Sequence, residues 1–251
     1  MPQFFWDLQQ GSLEWYRRRA GIPTSSEFDC VMTPKTKQRS TSYKKYAARI
    51  VAGRLLNWQA DDLNKISHVE AGRQNEPLAV GALEEIYQLE TTPIGLVTTN
   101  DGRFGASPDR VAGVSVKRDS VSMTIEAKCP TIPVQFERLL FGDSDAYKCQ
   151  RQGHLLVCEA DKAVFVSYHP RTPLYRVEEG RDEAFIKALR DCLEWFSDEL
   201  EALTLKARGL GFYEAFPELL LPLDAERGPE AHGEPMPDIF PPGFGDQDLR
   251  D

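Results

Sequence analysis

The chain has 251 residues, 41% of them hydrophobic, and a net charge of −9 at pH 7, which predicts one compact domain with a sizeable core and an extension. No stretch reaches the ~20 apolar residues of a membrane-spanning helix, and the N-terminal MPQFFWDLQQ has no basic region followed by an apolar run, so neither a membrane span nor a secretory signal is expected. The five cysteines are scattered without a CxxC pair, which favours reduced thiols in a cytosolic protein and argues against a zinc site.

The N-terminal third is predicted to be helical. Ser12 is a typical N-cap residue before LEWYRRR, and Thr24 or Ser25 can cap a second helix that begins near Glu27. Apolar residues at a 3.6-residue period then predict two longer helices. In chain order the predicted elements are helices over 12–19, from about 27, over 41–56 and over 75–90, with a polar loop at 57–70.

The centre of the chain is predicted to be rich in strands. The turn Asn100-Asp101-Gly102 is a strong hairpin signal, and the polar turn from Lys117 to Ser120 separates two further apolar runs. The predicted elements are strands over 94–100, 110–116 and 121–128, a helix over 145–160, strands over 162–170 and 174–178, and a long helix over 182–209. This order indicates a mixed α/β domain with a central sheet flanked by helices.

Charge is distributed unevenly along the chain. Residues 1–54 hold ten Lys and Arg against four Asp and Glu, whereas residues 178–251 hold nineteen acids against seven bases. One interpretation is a basic, phosphate-facing surface at one end and an acidic surface at the other, and the alternative is two ordinary solvated faces.

The residues that suggest chemistry lie on two neighbouring predicted strands. Pro108-Asp109 is followed, after sixteen residues, by Glu126-Ala127-Lys128, which is the pattern PD-(D/E)xK. Residues i and i+2 of a strand share a face, so Glu126 and Lys128 point the same way and Asp109 can reach the same place. Two adjacent carboxylates repel unless a cation lies between them, and carboxylate and carbonyl oxygens suit Mg²⁺ or Mn²⁺. The alternative reading is a surface hairpin with an ordinary Glu-Lys pair.

Three further segments strengthen the catalytic interpretation. Glu76 is expected at the start of the helix before the strands, where it can supply a third acidic group. Gln150, with Tyr147 one turn earlier, is expected on the helix after the strands. The segment RRRAGIPTSSE combines guanidinium groups, hydroxyls and a helix N-terminus, which together can form a phosphate pocket. The four histidines are dispersed, and none is interpreted as a ligand; His154 is expected in the core or facing the sheet.

In this order, the motifs QGSLEWYRRRAGIPTSSE, GRQNE, ASPD, EAKCP and YKCQRQ resemble those of the lambda-type exonucleases, the YqaJ-like viral recombinases. The similarity covers roughly residues 10–209. It implies a PD-(D/E)xK, restriction-endonuclease-like core in which a central mixed sheet is flanked by helices. It also implies a processive 5′-to-3′ exonuclease on linear double-stranded DNA, with two Mg²⁺ ions per active site that Mn²⁺ can replace.

The resemblance also assigns roles by motif. Asp109, Glu126, Lys128 and Glu76 form the catalytic set, with Lys128 positioning the water nucleophile. The implied metal ligands are Asp109, Glu126, the Ala127 carbonyl, Glu76 and Gln150, and the implied DNA and 5′-phosphate contacts are Arg19, Ser26, Gln150 and Val69.

The resemblance further implies a homotrimeric ring around DNA with a 5′-phosphorylated end, and a phage single-strand annealing protein as partner in the cytoplasm of a bacterial host. The nuclease domain is expected over 1–221, followed by an acidic, Pro-rich tail over 222–251 that is extended or disordered. Alternatives are a related endonuclease or single-strand nuclease, and a non-catalytic DNA-end-binding protein.

Overall fold

The structure is a computed structural model that describes residues 1–56, 67–142 and 145–210, with the backbone alone for residues 67–74 and 146. The predicted tail over 222–251 and most of the predicted loop over 57–70 lie outside these ranges. Among the residues described, no helix is both long enough and apolar enough to cross a membrane.

Helices account for much of the described chain. They are α1 (Leu13–Arg19), α2 (Tyr43–Leu56), α3 (Ser67–Tyr87), α4 (Ile132–Phe141), α5 (Lys148–Cys158) and α6 (Glu183–Gly209), with 3₁₀ turns at Ser25–Cys30 and Asp145–Tyr147. Side-chain caps fix two of the N-termini: Ser12 accepts a hydrogen bond from the Trp15 amide, and Asp182 accepts one from the Phe185 amide.

The strands form three sheets. They are β1 (Gln3–Phe5), β2 (Met32–Thr33), β3 (Gln38–Arg39), β4 (Leu96–Thr98), β5 (Gly105–Ala106), β6 (Arg110–Ala112), β7 (Met123–Lys128), β8 (Lys162–Ser167) and β9 (Tyr175–Gly180). The sheets have the orders β1-β4-β5, β2-β3 and β6-β7-β8-β9.

The four-stranded sheet is mixed and lies at the centre of the fold. β6 and β9 are antiparallel to their neighbours, whereas β7 and β8 are parallel and run in register from Met123 opposite Lys162 to Lys128 opposite Ser167. The chain between β7 and β8 includes α4 and α5, as a parallel pair requires a crossover connection.

Helices cover both faces of this sheet, so alternate residues of β7 enter different environments. Ile125 and Ala127 pack with Val164, Val166 and the apolar side of α3. Glu126, on the opposite face of the strand, lies against α5, whose residues after Lys148 are all buried. This carboxylate therefore lies in a covered layer, whereas Lys128 at the end of the strand reaches solvent.

The larger core lies beyond α5 and joins the N-terminal helices to α6. Phe28, Tyr46, Leu155 and Phe196 are buried in it, and the rings of Tyr46 and Phe196 stack with centroids 5.6 Å apart. Ion pairs reinforce this packing at the surface, since Arg54 Nη1 lies 2.8 Å from Glu201 Oε1. The basic N-terminal segment thus packs against the acidic last helix rather than at the opposite end of the molecule.

Several expectations from the sequence are confirmed. The structure has the predicted mixed sheet flanked by helices, the hairpin at Asn100-Asp101-Gly102 and the Ser12 cap. The second helix is instead a 3₁₀ turn, Ser25–Cys30, without a side-chain cap. The prediction of a polar loop over 57–70 is wrong from Ser67 onward, because α3 already begins there. Helix α4 was not predicted.

Helix α5 approaches the turn Ser25–Cys30 so closely that Gly153 leaves no room for a side chain. A Cβ there would lie 2.6 Å from Cδ2 of the buried Phe28 and 3.2 Å from Cβ of Ser25. We expect Gly153→Ala to lower the free energy of unfolding by about 1–3 kcal/mol through overpacking. Urea denaturation measures this change.

Gly81, in the exposed part of α3, is the matched control because a Cβ there meets no atom within 4 Å. Gly81→Ala should raise stability by about 0.5–1 kcal/mol through helix propensity alone. Equal effects of the two substitutions would contradict the close packing of α5.

Candidate active site

The two strands β6 and β7 bring the predicted carboxylates together. Arg110 pairs with Ile125 in the antiparallel register, which places Asp109 at the end of β6 beside Glu126. The Asp109 carboxylate accepts a hydrogen bond from the main-chain N–H of Ala127, with Oδ2 2.7 Å from the nitrogen. The aspartate is therefore fixed by the strand that carries the glutamate.

Lys128 completes this group from the same face of β7. Its ammonium forms an ion pair with Oε1 of Glu126, as the spacing of two residues along a strand predicts. The Glu126 side chain is only 4% exposed, whereas that of Lys128 is 34% exposed and reaches solvent. The buried carboxylate is thus held by a cation that has access to the outside.

The pKa of each of these three groups depends on the charges of the other two. Burial and then repulsion from Glu126 raise the pKa of Asp109 well above its ordinary value, and the Lys128 ammonium opposes this only in part. Burial is the largest single influence on the pKa of Glu126 and acts to raise it. The Lys128 ammonium, His154 and the hydrogen bonds of Lys128 and Gln150 together outweigh burial and hold this pKa below its usual range. For Lys128, attraction to Glu126 and Asp109 exceeds the effect of burial and raises its pKa, so it stays an ammonium.

Glu76 lies near the pair, but its position differs from the prediction. It is in the interior of α3, which begins at Ser67, and not at the start of a helix. Glu76 and Asp109 both line a cavity of about 760 Å³, and the Glu76 charge contributes to raising the pKa of Asp109. The side chain of Val69 lies outside the described part of the chain.

Helix α5 supplies further polar groups. Gln150 is buried and hydrogen-bonds to Glu126, which places it in the site as predicted. Gln152 points elsewhere, since its amide donates to the Gly180 carbonyl and accepts from the Asp182 amide. Tyr147 has a structural role: its hydroxyl accepts from Arg138 and its ring stacks on that of Phe165.

The segment after α1 surrounds the Arg19 side chain with hydroxyl groups. Nη2 of Arg19 donates to Oγ1 of Thr24 at 2.9 Å and to Oγ of Ser26 at 3.0 Å. The guanidinium lies 4.1 Å from the ring centroid of Trp15, with which it forms a cation–π contact. Burial lowers the pKa of Arg19, and Glu126 is among the groups that oppose this shift, so the Arg19 guanidinium is within electrostatic range of the Glu126 carboxylate.

His154 is buried and faces the sheet as predicted, but sequence reasoning missed its place in this site beside Glu126. It lies one turn after Gln150 on α5 and is 1% exposed, with Nε2 3.8 Å from Oε2 of Glu126. Burial lowers its pKa to about 4, although Glu126 acts in the opposite direction. The spacing of four residues after Gln150 is the signal that could have revealed it.

The donor set suits a divalent cation. In the part of the chain that the structure describes, no three His, Cys, Asp and Glu side chains form a ready-made metal cluster. Oε2 of Glu126 is nevertheless buried without a hydrogen-bond partner, and burial, followed by repulsion from Glu126, raises the pKa of Asp109. A hard cation bound by these oxygens, together with the Ala127 carbonyl, would satisfy both.

Comparison with known proteins gives a consistent result. The model of the YqaJ-like viral recombinase domain matches residues 14–161, and no curated protein sequence matches the chain. An alkaline exonuclease from Laribacter hongkongensis (LHK-Exo) is 25% identical, with a TM-score of 0.68 over 80% of this chain and 98% of its own. The structure of LHK-Exo in complex with dAMP is 27% identical, with a TM-score of 0.67 over 81% and 98%. A phage-related exonuclease from Haemophilus somnus 129PT, 14% identical with a TM-score of 0.54 over 74% and 96%, shares the fold.

The mixed sheet presents Pro-Asp and Glu-x-Lys at adjacent strand ends and lies between two layers of helices. This is the PD-(D/E)xK nuclease architecture. The predicted core is thereby confirmed. The chain belongs to the YqaJ-like viral recombinase domain family, whose model spans more than half of it. Together with the two LHK-Exo structures, this membership makes the protein a nuclease, a hydrolase of phosphodiester bonds.

The repulsion between the two carboxylates predicts that Asp109→Asn stabilises the metal-free protein. Folding raises the pKa of Asp109 above 3.8. The protonated aspartate therefore contributes its full stability to the folded protein below that pH, and this contribution is lost as the pH rises through the folded pKa. At pH 7 with a chelator, we expect a gain on the order of 1 kcal/mol, or about 2–4 °C in melting temperature. Thermal unfolding monitored by circular dichroism measures it.

The gain should shrink as the pH falls toward 4, since the aspartate of the folded protein is then protonated and no longer repels Glu126. Asp101 is the control because it lies in an exposed turn, where it accepts hydrogen bonds from Thr99 and from the Arg103 amide. Asp101→Asn should give no such gain. A melting temperature of Asp109→Asn at or below that of the wild type would rule out the repulsion.

Proposed function

We propose that the protein is a metal-dependent 5′-to-3′ exonuclease that degrades linear double-stranded DNA and leaves 3′ overhangs for single-strand annealing recombination. The observation that carries this proposal is the grouping of Asp109, Glu126 and Lys128 beside the Arg19 pocket. The first three groups suit phosphodiester hydrolysis, and the fourth suits a terminal phosphate.

The proposed cofactor is Mg²⁺, two ions per active site, with Mn²⁺ as a substitute. Asp109, Glu126 and the Ala127 carbonyl would hold one ion, with Glu76 and Gln150 completing the surroundings of the second. Bound there, the metal would supply Lewis-acid activation of the phosphate and lower the pKa of a water molecule.

The side chains of the protein account for the remaining steps. The Lys128 ammonium donates hydrogen bonds, so it orients the attacking water and stabilises negative charge that develops on the phosphate. Its raised pKa argues against a role as the base. Arg19 and Ser26 hold the 5′-phosphate, and this contact places the first phosphodiester bond near the carboxylates.

Further parts of the proposal rest on family membership. We propose a homotrimeric ring around the duplex, a phage single-strand annealing protein as partner, and action in the cytoplasm of a bacterial host. Val69 is proposed as the apolar group that unpairs the DNA end. The nuclease activity is assigned to residues 1–221, and the acidic segment over 222–251 is proposed to be a flexible tail outside catalysis.

Lys128→Ala tests the catalytic assignment. Digestion of a linear duplex with Mg²⁺ should fall by about 100-fold or more, because a charge-stabilising donor is lost, while DNA binding is largely retained. Gel analysis of digestion products and fluorescence anisotropy of DNA binding measure the two effects. Lys162→Ala is the matched control, since Lys162 lies on β8 and pairs with the exposed Glu178.

Digestion by Lys128→Ala at the wild-type rate would remove the mechanism. Closed circular plasmid provides a second check with the wild-type protein. An exonuclease leaves the circles intact, so their cleavage would favour the endonuclease alternative.

Arg19→Gln tests the phosphate pocket. Loss of a charged hydrogen-bond donor, worth about 1.5–3 kcal/mol, should lower kcat/KM on 5′-phosphorylated duplex by about 10- to 100-fold. Duplex with a 5′-hydroxyl end should be digested almost as before, because the lost contact involves the phosphate. Initial rates on the two substrates measure the discrimination.

Arg18→Gln is the control for charge alone, because Arg18 is on the same helix and pairs with the exposed Glu14. It should leave the preference for a 5′-phosphate unchanged. Equal loss on both kinds of end in Arg19→Gln would contradict terminal-phosphate recognition.

A further inference from the structure

His154 lies next to Glu126 of the candidate active site, and the proposed reaction does not use it. It lies on α5, four residues after Gln150, so both side chains point toward β7. Its Nε2 is 3.8 Å from Oε2 of Glu126, and the two side chains are 1% and 4% exposed. This separation is too long for a hydrogen bond but leaves no room for a water molecule between the atoms.

Unpaired polar atoms are concentrated around this contact. Among the described residues, the buried side-chain nitrogen and oxygen atoms without a hydrogen-bond partner are Arg17 Nε, Thr124 Oγ1, Glu126 Oε2, and Nδ1 and Nε2 of His154. Thr124 and Glu126 are two residues apart on β7 and share its face. Since native proteins pair nearly all buried polar groups, two unpaired atoms 3.8 Å apart indicate partners that meet after a small shift.

The chemistry of the ring fits a donor to the carboxylate. An imidazole ring carries at least one N–H whatever its protonation state. Oε2 of Glu126 is an acceptor only, so the N–H of the ring is the group that matches it.

We propose that His154 is a positioning residue that orients the Glu126 carboxylate through an imidazole N–H donated from Nε2 to Oε2. Lys128 holds the other oxygen of the same carboxylate from the solvent side. With both oxygens held, the Glu126 carboxylate keeps one orientation, and His154 thereby raises the affinity for a divalent cation without touching it. This inference rests on the proposed metal-dependent function.

Two nearly isosteric variants separate the N–H from the volume of the side chain. His154→Gln keeps a donor at the end of a flexible chain, whereas His154→Met fills similar space without one. We expect Mn²⁺ to bind about 10- to 100-fold more weakly to His154→Met and within about threefold of wild type to His154→Gln, measured by isothermal titration calorimetry. Excess Mn²⁺ should restore most of the kcat of His154→Met, which a general structural defect would not allow.

Gln152→Met is the matched control on the same helix. Gln152 is buried and hydrogen-bonded to Gly180 and Asp182, so its loss should lower the melting temperature while Mn²⁺ affinity stays unchanged. Mn²⁺ affinity of His154→Met within twofold of wild type, or an equal loss in His154→Gln, would overturn the proposal. Wild-type protein that binds Mn²⁺ without digesting DNA would contradict the proposed function and leave the comparison at His154 valid.

Discussion

The hydrogen bond from the Ala127 amide to the Asp109 carboxylate fixes two like charges side by side at the end of a buried hairpin. Repulsion between Asp109 and Glu126 opposes this arrangement, and burial strengthens the repulsion because water no longer screens it. The fold tolerates it through the antiparallel register of β6 and β7 and through the ammonium of Lys128. This repulsion, at the site where a cation can be bound, thus lowers the stability of the metal-free protein. Such a loss of stability is common in active sites.

The other groups of the site reach this pair from distant parts of the chain. Arg19 comes from the N-terminal segment, while Gln150 and His154 come from α5, which the buried Gly153 allows to pack tightly on the turn Ser25–Cys30. One helix therefore sets the distance between the basic pocket and the carboxylates. Helix packing and active-site geometry depend on the same contact.

Part of the charge that gives the net value of −9 can be located in the structure. Part of the acidic charge lies on α6, where Glu201 pairs with Arg54 and Asp198 pairs with Arg103. In the part of the chain that the structure describes, the basic N-terminal segment and the acidic α6 therefore contact each other through Arg54 and Glu201. A basic pocket for phosphate remains compatible with an acidic protein because Arg19 is held locally by hydroxyls and a ring.

The sequence alone determined the mixed sheet through strand periodicity, and it placed Glu126 and Lys128 on one strand face through their spacing, because both are local properties of the chain. The family followed from the order of five motifs. The boundary of α3 was wrong at Glu76, since polarity alone gives no signal for a helix whose preceding residues read as a loop. Only the tertiary structure decided that Gln152 points away from the site and that His154 lies against Glu126. Those two outcomes depend on the rotation of α5 about its axis, which is set by contacts with β7, β9 and the turn Ser25–Cys30, all distant in sequence.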